Sequence, residues 1–290
     1  MSKENGYVQE LGEWLTLRNY AEPTIKSYTS ALRQFIKWRV RQNFGPQIKQ
    51  EDARRYILHR YERGLSWQTI NGDYTSLQRF FTHVLHQDWD VDHIPRPRKE
   101  RQLPSVLSRE EVERLINSGV NLKDQAFMSL LYGSGLRLSE ALKLEITHVD
   151  GSRKQLRVVR GKGRKDRYVG IPETLLEVLR LYYSRYLPRT YLFNGRYNGR
   201  KWANRSAQYA ITRAAKQAGI GREVSPHVLR HCYATHHLEG GTSLVYLKDQ
   251  LGHKNLKTTA RYIHLCTDRV HRVHHPIVDL SLTYRREDPV

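Results

Sequence analysis

Cysteine is nearly absent from this 290-residue chain, which contains only Cys232 and Cys266. Two cysteines cannot form the multiple-disulfide framework of a small secreted domain, and they fit a reducing compartment. No apolar run approaches the ~18 residues that a membrane span needs. The opening MSKENGYVQE has no basic region followed by an apolar stretch, so it does not form a secretory signal. We therefore expect a soluble, cytoplasmic protein with no membrane partner.

Acidic residues are scarce relative to basic ones. The chain has 49 Lys and Arg against 29 Asp and Glu, for a formal net charge of +20. Each basic residue that neutralises a phosphate releases a condensed counterion, so nucleic acid is the favoured partner, although a ribosomal or merely basic protein would share this composition. The carboxylates are scattered, with no D-x-D or D-x-E pair in a setting that suits a two-metal nuclease.

The N-terminal part of the chain has helical periodicity. Apolar residues recur at helical spacing in residues 7–18, 22–38, 50–64 and 66–87. Pro23 lies near a first turn, Ser66 is placed as an N-cap, and Gly64 ends a helix. We assign residues 1–94 to a helical, DNA-binding bundle whose polar faces are rich in Arg, Lys and Gln.

A basic linker follows over residues 95–107. Prolines and basic residues without an apolar period are typical of a tether between domains. The linker either follows a phosphate backbone or is solvated and makes no contact. In the first case its DNA-binding residues would be Arg96, Arg98, Lys99 and Arg101.

The second domain is assigned to residues 108–290 and begins with a capping box, Ser108 and Glu111. Helical patterns follow in residues 109–119, 124–135, 137–144, 172–186, 205–219, 225–241, 243–252 and 257–265. Between them, alternating apolar residues on both sides of GKGRKD predict a β-hairpin with a basic tip. The expected fold is mainly α with this small β element.

Three cations and two histidines are positioned where they could bind one phosphate. HVLR places His227 and Arg230 on one face of a helix, with His227 in the first turn, where the dipole favours an anion. Arg137 follows a glycine turn, Lys162 lies between two glycines at the hairpin tip, and His253 follows a helix end. Two arginines on one phosphate would stabilise phosphoryl transfer.

Each of these residues alone is a weak signal, because a lone Arg is usually solvated and a lone His is usually structural. HVLRHCYATHH also admits a zinc site made of His227, His231, Cys232 and His236. Structural zinc sites, however, use short paired spacings such as C-x2-C with a second pair downstream, which this segment lacks. We therefore expect no metal ion and no cofactor.

Taken together, four segments resemble the motifs of the tyrosine recombinase family, especially its Xer and phage-integrase members. They are LLYGSGLRLSEALKL, VVRGKGRKDRYVGIP, SPHVLRHCYATHHLEGG and LKDQLGHKNLKTTARYIHL, in the family's order. The resemblance is strong over residues 108–276 and weaker over the N-terminal helices. It implies a SAM-like core-binding domain followed by a tyrosine recombinase catalytic domain.

The resemblance also implies which residues hold the scissile phosphate. Arg137 and Arg230 would grip it, and His253 would donate a hydrogen bond to it. Glu140, one turn after Arg137, would be a buried partner that organises the site.

Three further residues would make and break the bonds. Tyr262, one of eighteen tyrosines, would be the nucleophile that forms a 3′-phosphotyrosyl link. Lys162 would protonate the leaving 5′ hydroxyl and His227 would assist proton transfer. Arg164 and Lys165, beside Lys162, are candidate DNA contacts.

The implied function is site-specific DNA recombination through a Holliday junction, as in integration, excision or dimer resolution. The covalent link conserves the phosphodiester energy, so no ATP is required. The expected partner is double-stranded DNA with a specific recombination site. The chain would assemble as a homotetramer on two duplexes, with or without a paralogous recombinase or accessory protein.

Two other functions stay open. A type IB topoisomerase would use the same chemistry, although the two-domain organisation and an Xer-like tail favour recombination. An inactive DNA-binding accessory protein would be expected to have lost at least one of the six catalytic residues. The tail's His271, His274 and His275 are interpreted as part of a solvated or subunit-contacting helix, or alternatively as metal ligands.

Overall fold

The computed structural model describes residues 3–98, 105–159, 166–195, 197 and 199–266. The chain divides into two compact units, Met1–Gln102 and Leu103–Val290. The division lies inside the segment predicted as a linker, of which residues 99–104 are outside the described residues. The boundaries assigned from the sequence stay a prediction. Within the described ranges, no helix has the length and apolar character needed to cross a bilayer.

The first unit is a helical bundle. Its helices are α1 (Lys3–Leu17), α2 (Glu22–Arg41), α3 (Gln50–Glu62) and α4 (Trp67–His83). The Ser66 side chain caps α4 by accepting a hydrogen bond from the Thr69 amide, and Gly64 adopts a positive φ of 65° after α3. Fully buried Leu32, Phe35 and Phe80 lie at the centre of its apolar core.

Two buried ion pairs also hold this bundle together. Arg39 Nε lies 2.8 Å from Asp52 Oδ2, and Arg60 Nε lies 2.7 Å from Asp73 Oδ2. Removing one partner of such a pair leaves an uncompensated buried charge, which costs about 3–5 kcal/mol. Arg39 and Arg60 are therefore structural cations.

The second unit is mainly helical around a small sheet. Its elements are α5 (Arg109–Asn117), α6 (Leu122–Ser134), α7 (Leu138–Ala141), a 3₁₀ helix (Ile146–His148), β1 (Val149–Asp150), β2 (Gln155–Val158), β3 (Arg167–Gly170), α8 (Glu173–Tyr186), α9 (Asn204–Gln217), α10 (Pro226–Glu239), α11 (Leu244–Leu251), α12 (Leu256–Ala260) and a 3₁₀ helix (Arg261–Leu265). Helix α6 lies in the core, with Phe127, Leu130 and Leu131 fully buried. The predicted capping box is present, because the Glu111 amide donates to Ser108 Oγ and the Ser108 amide donates to Glu111.

The predicted fold class, mainly helical with a small β element, is confirmed. Strands β2 and β3 pair antiparallel, with Leu156 opposite Val169 and Val158 opposite Arg167. The sheet also has a third strand, β1, paired antiparallel to β2. This strand was not predicted because its two residues are too few to show an alternating pattern. The GKGRK part of the hairpin tip lies outside the described residues.

Candidate active site

Arg230 connects two turns of the second unit. It lies on α10 and is only 3% exposed. Its Nη1 donates to the Gly135 carbonyl at 2.5 Å, and its Nη2 donates to the Leu251 carbonyl at 2.7 Å. Burial and the neighbouring Arg137 lower the pKa of Arg230 to about 10, so the guanidinium stays charged at neutral pH. A buried cation is thus held at the point where the turn after α6 meets the end of α11.

The turn at Gly135 requires glycine for two reasons. Its φ is +61°, in the left-handed region that ends α6. A Cβ there would lie 2.4 Å from Tyr233 Cδ1. The sharp turn allows Arg137 to begin α7 close to Arg230.

We expect Gly135→Ala to destabilise the protein far more than Gly219→Ala does. Gly219 has a similar φ of +68°, but a Cβ there would meet nothing within 4 Å. The left-handed backbone costs about 1–2 kcal/mol in both variants, and the clash with Tyr233 adds about 1–3 kcal/mol in the first. Urea unfolding of the two variants measures the difference, and equal losses of stability would contradict the steric account.

Glu140 organises the arginines around the site. The Arg137 amide donates to Glu140 Oε2 and Arg137 Nη1 donates to Oε1, both at 2.9 Å. Arg167 on β3 adds a two-pronged pair, donating from Nη1 at 3.0 Å and from Nη2 at 2.9 Å. Burial acts to raise the pKa of Glu140, but Arg167 and Arg137 outweigh it and lower this pKa to about 2. The carboxylate is therefore charged and fixes the orientation of Arg137.

Arg167 was not among the residues predicted for the site. Its Nε donates to the Gln250 carbonyl at 3.1 Å, and its guanidinium packs so closely on Gly252 that a Cβ there would lie 3.0 Å from Arg167 Cζ. Arg167 thus ties β3 to the end of α11 and to Glu140. In the sequence it is one of several cations in RGKGRKDR, and no local pattern distinguishes it.

His253 lies next to Arg230, just beyond α11. Its Nε2 is 3.0 Å from Arg230 Nη2, and its Nδ1 is 2.8 Å from Thr259 Oγ1. Arginine has no acceptor, so Nε2 accepts and the ring proton is on Nδ1, which donates to Thr259. Burial and the charge of Arg230 lower the pKa of His253 to about 4. In this geometry Nε2 cannot donate to a phosphate. It can do so only after its hydrogen bond with Arg230 breaks and Nε2 gains a proton.

Tyr262 is buried beside these groups. It lies in the 3₁₀ helix Arg261–Leu265, which follows α12 where one continuous helix was predicted, and it is 6% exposed. Its hydroxyl lies 3.2 Å from His231 Nδ1, and its ring is nearly parallel to that of His253 at 6.3 Å. Burial raises the pKa of Tyr262, and the charge of Arg230 opposes this rise. The phenol is therefore protonated at neutral pH.

His227 and His231 occupy one face of α10. Their rings lie 6.4 Å apart, one helical turn from each other. Burial lowers the pKa of His227, and burial together with the neighbouring His227 and Arg230 lowers the pKa of His231 to about 4. Both rings are neutral at pH 7. His231 was considered in the sequence only as a zinc ligand, yet its spacing of four residues from His227 places it on the same helical face.

We expect the protein to lose stability when the pH falls from 7 to 5. His231 and His253 have pKa values of about 4 in the folded protein, below their ordinary value of 6.5. Between these values the unfolded chain binds more protons, so each group lowers the free energy of unfolding by up to about 1.4 kcal/mol per pH unit on acidification. Urea unfolding at pH 7, 6 and 5 measures how the free energy of unfolding changes with pH. A stability that stays constant over this range would contradict the buried, neutral state of these rings.

Several predicted residues are not brought into this cluster by the described structure. Arg96 is held on α4 of the first unit, where it donates to Asn71 Oδ1 at 3.0 Å and to Thr75 Oγ1 at 2.9 Å, and Arg98 is exposed. The remainder lie outside the described residues: Lys99, Arg101, Lys162, Arg164 and Lys165. The tail histidines, beyond residue 266, also lie outside them.

The side chains of the zinc alternative have other partners. Cys232 Sγ accepts from the Leu107 amide at 3.2 Å. The ring nitrogens of His236 face the Leu107 carbonyl at 3.0 Å and the Tyr132 hydroxyl at 2.9 Å. Across the part of the chain that the structure describes, no group of three or more His, Cys, Asp or Glu side chains could hold a metal ion.

Both units of the chain match domains of known proteins. Residues 105–269 match the phage integrase family, and residues 8–91 match the phage integrase N-terminal SAM-like domain. The chain is 33% identical to tyrosine recombinase XerA of Thermococcus kodakarensis, over 94% of this chain and 95% of the relative. It is 32% identical to tyrosine recombinase XerC of Halalkalibacterium halodurans, over 89% of this chain and 93% of the relative.

A solved structure shares the fold. The site-specific recombinase XerH, in a pre-cleavage complex with its difH substrate, superimposes with a TM-score of 0.68. The match covers 88% of this chain and 81% of that chain, at 22% identity.

Proposed function

Because the chain belongs to the phage integrase family of tyrosine recombinases, and is thus a site-specific recombinase that cleaves and rejoins DNA, we propose that Tyr262 is its nucleophile. One observation carries this assignment: the buried Tyr262 hydroxyl lies beside the Arg230 guanidinium, which has Arg137 as a neighbouring cation. A phosphate at this position would face both cations and the attacking oxygen. The resemblance of the surrounding motifs to those of the family supports the same assignment.

In the proposed reaction, the Tyr262 oxygen attacks the scissile phosphorus and the bond to the 5′ oxygen breaks. Arg137 and Arg230 stabilise the negative charge that develops on the phosphorane oxygens. Arg137 is already oriented by Glu140, which removes part of the cost of ordering its side chain. Lys162 would protonate the leaving 5′ oxygen, a role that rests on the family resemblance. The product is a 3′-phosphotyrosyl link and a free 5′ hydroxyl.

DNA is the partner of this chain, and a tetramer is the assembly that we propose. The net charge of +20 favours a polyanion, and the structure of XerH is a pre-cleavage complex with its difH substrate. Each chain offers one nucleophile under this assignment. Exchanging both strands of two duplexes requires four cleavages, so four copies are needed, acting in pairs through a Holliday junction. We also propose that the chain acts in the cytoplasm, where it would meet its DNA substrate.

Capture of covalent adducts tests the proposal. The full chain is incubated with fragmented host DNA in EDTA, adducts are recovered under denaturing conditions, and the attached ends are sequenced. We expect 3′ attachment at a discrete site, and nicked duplexes carrying that site should accumulate the adduct. Relaxation of supercoiled plasmids at equal rates with and without the site would indicate a topoisomerase instead.

A further inference from the structure

The phenol of Tyr262 has a histidine neighbour that none of the roles above uses. His231 directly follows Arg230 on α10, and its Nδ1 lies 3.2 Å from the Tyr262 hydroxyl. The two rings are tilted by 53° with centroids 5.4 Å apart, so the contact is made by the polar edges and not by stacking. The hydroxyl therefore lies between a permanent cation and an imidazole nitrogen.

Attack on phosphorus requires the phenol to lose its proton. Burial holds the pKa of Tyr262 above its ordinary value, and a phosphate bound at the site would add negative charge and oppose ionisation further. Arg230 can stabilise the developing charge, but a guanidinium has no lone pair with which to take the proton. An acceptor in contact with the hydroxyl is therefore required.

We propose that His231 accepts the Tyr262 proton during cleavage and returns it during rejoining. The inference rests on Tyr262 being the nucleophile. As the oxygen–phosphorus bond forms, the phenol proton moves to His231 Nδ1 and an imidazolium results. The electron pair of the broken bond leaves with the 5′ oxygen, which a separate acid protonates. In rejoining, a 5′ hydroxyl gives its proton back to the conjugate base of that acid and attacks the phosphotyrosine. The bond from phosphorus to the Tyr262 oxygen breaks, and His231 returns its proton to that oxygen.

The other two histidines of the site are less suited to this step. His253 has both ring nitrogens engaged, with Nε2 facing Arg230 and Nδ1 facing Thr259. His227 lies one turn before His231, with its ring centroid 6.4 Å from the ring of His231. His231 has the nitrogen in contact with the hydroxyl.

The surroundings of His231 keep its ring neutral before the reaction. The charged and titratable groups that face it are His227 and Arg230 from α10 and Tyr262 from the 3₁₀ helix. Burial and the first two groups lower the pKa of His231 to about 4, so the ring is neutral at pH 7. In the tautomer with its proton on Nε2, the Nδ1 lone pair faces the Tyr262 hydroxyl. During attack, the negative phosphorane stabilises the imidazolium and offsets this low basicity.

His231→Asn separates proton transfer from simple positioning. The Asn Oδ1 can occupy the place of Nδ1 and accept the same hydrogen bond, but it cannot take a proton at neutral pH. Single-turnover cleavage is measured with the full chain on a nicked duplex that carries the mapped site. We expect a fall of about 100-fold or more, the usual contribution of a general base, with DNA affinity and thermal stability retained.

His237→Asn is the matched control. His237 lies on the same helix and contacts Thr242 Oγ1 at 3.1 Å, away from Tyr262. This variant should cleave within about twofold of the unmodified chain, since it removes a histidine of similar burial without touching the site. If His231→Asn also cleaves within about threefold of the unmodified chain, His231 takes no proton and the inference is overturned.

A substrate with sulfur in place of the bridging 5′ oxygen shows whether His231 removes the phenol proton or protonates the leaving group. A thiolate leaves without protonation, so loss of the general acid is rescued on this substrate and loss of the base is not. We expect His231→Asn to stay slow with sulfur. Recovery of the rate would place His231 on the leaving-group side and overturn the inference. An unmodified chain that forms no adduct with either substrate would overturn the proposed function itself, and this inference with it.

Discussion

Replacing Tyr262 by phenylalanine is expected to reduce covalent protein–DNA adducts to background while leaving DNA affinity nearly unchanged. The variant keeps the buried ring that lies parallel to His253 and loses only the hydroxyl facing His231. Loss of one such hydrogen bond costs about 1 kcal/mol, so the fold should be retained. Without the phenol oxygen, no covalent link can form at this position.

Adduct formation on a nicked suicide duplex, resolved by denaturing gel, measures this effect. Tyr209→Phe is the matched control, because Tyr209 lies on α9 of the same unit and is 66% exposed. It should form adducts at the rate of the unmodified chain. Adducts that persist in Tyr262→Phe would assign the nucleophile to another residue.

The second large effect is expected for Arg230→Ala. Removing the guanidinium removes a cation that the transition state requires, and loss of one such donor typically costs about 100- to 1,000-fold in rate. It also leaves the Gly135 and Leu251 carbonyls without their buried donor. Each unsatisfied group costs about 1–3 kcal/mol, so stability should fall as well. Arg230→Lys keeps the charge and should recover part of the stability but little of the rate, because one ammonium cannot reproduce the planar fork.

Arg213→Ala separates the two effects of Arg230→Ala. Arg213 on α9 pairs with the buried Asp124 at 2.7 Å, away from Tyr262, so its loss should reduce stability alone. Cleavage is compared at saturating DNA, per folded molecule as determined from unfolding curves. A rate for Arg230→Ala that equals that of Arg213→Ala after this correction would make Arg230 a purely structural residue.

Local patterns in the sequence were sufficient for most of the fold. Capping residues such as Ser66 and Ser108 placed helix starts correctly, because an N-cap satisfies amides of its own helix and depends on nothing distant. The β2–β3 hairpin was recognisable from alternation on both sides of a turn. Two features depend on tertiary packing, and no local pattern predicts them. They are the two-residue strand β1 and the change from α12 to a 3₁₀ helix before Tyr262.

The contacts of the candidate site were predictable only where both residues lie in one local motif. His227 and Arg230 share a helical face, and the sequence alone showed it. Arg167 contacts Glu140 across 27 residues, and His231 contacts Tyr262 across 31. Such contacts are set by the approach of separate elements. For this reason Arg167 was one cation among many in the sequence, and His231 was considered only with a zinc site.

We expect Tyr262, and no other tyrosine, to become joined to DNA. The most direct measurement is mass spectrometry of the adduct, after nuclease digestion of the DNA and proteolysis of the protein. We expect one nucleotide-modified peptide, with the phosphate on Tyr262. A modification on a different residue, such as the buried Tyr233 of α10, would contradict it.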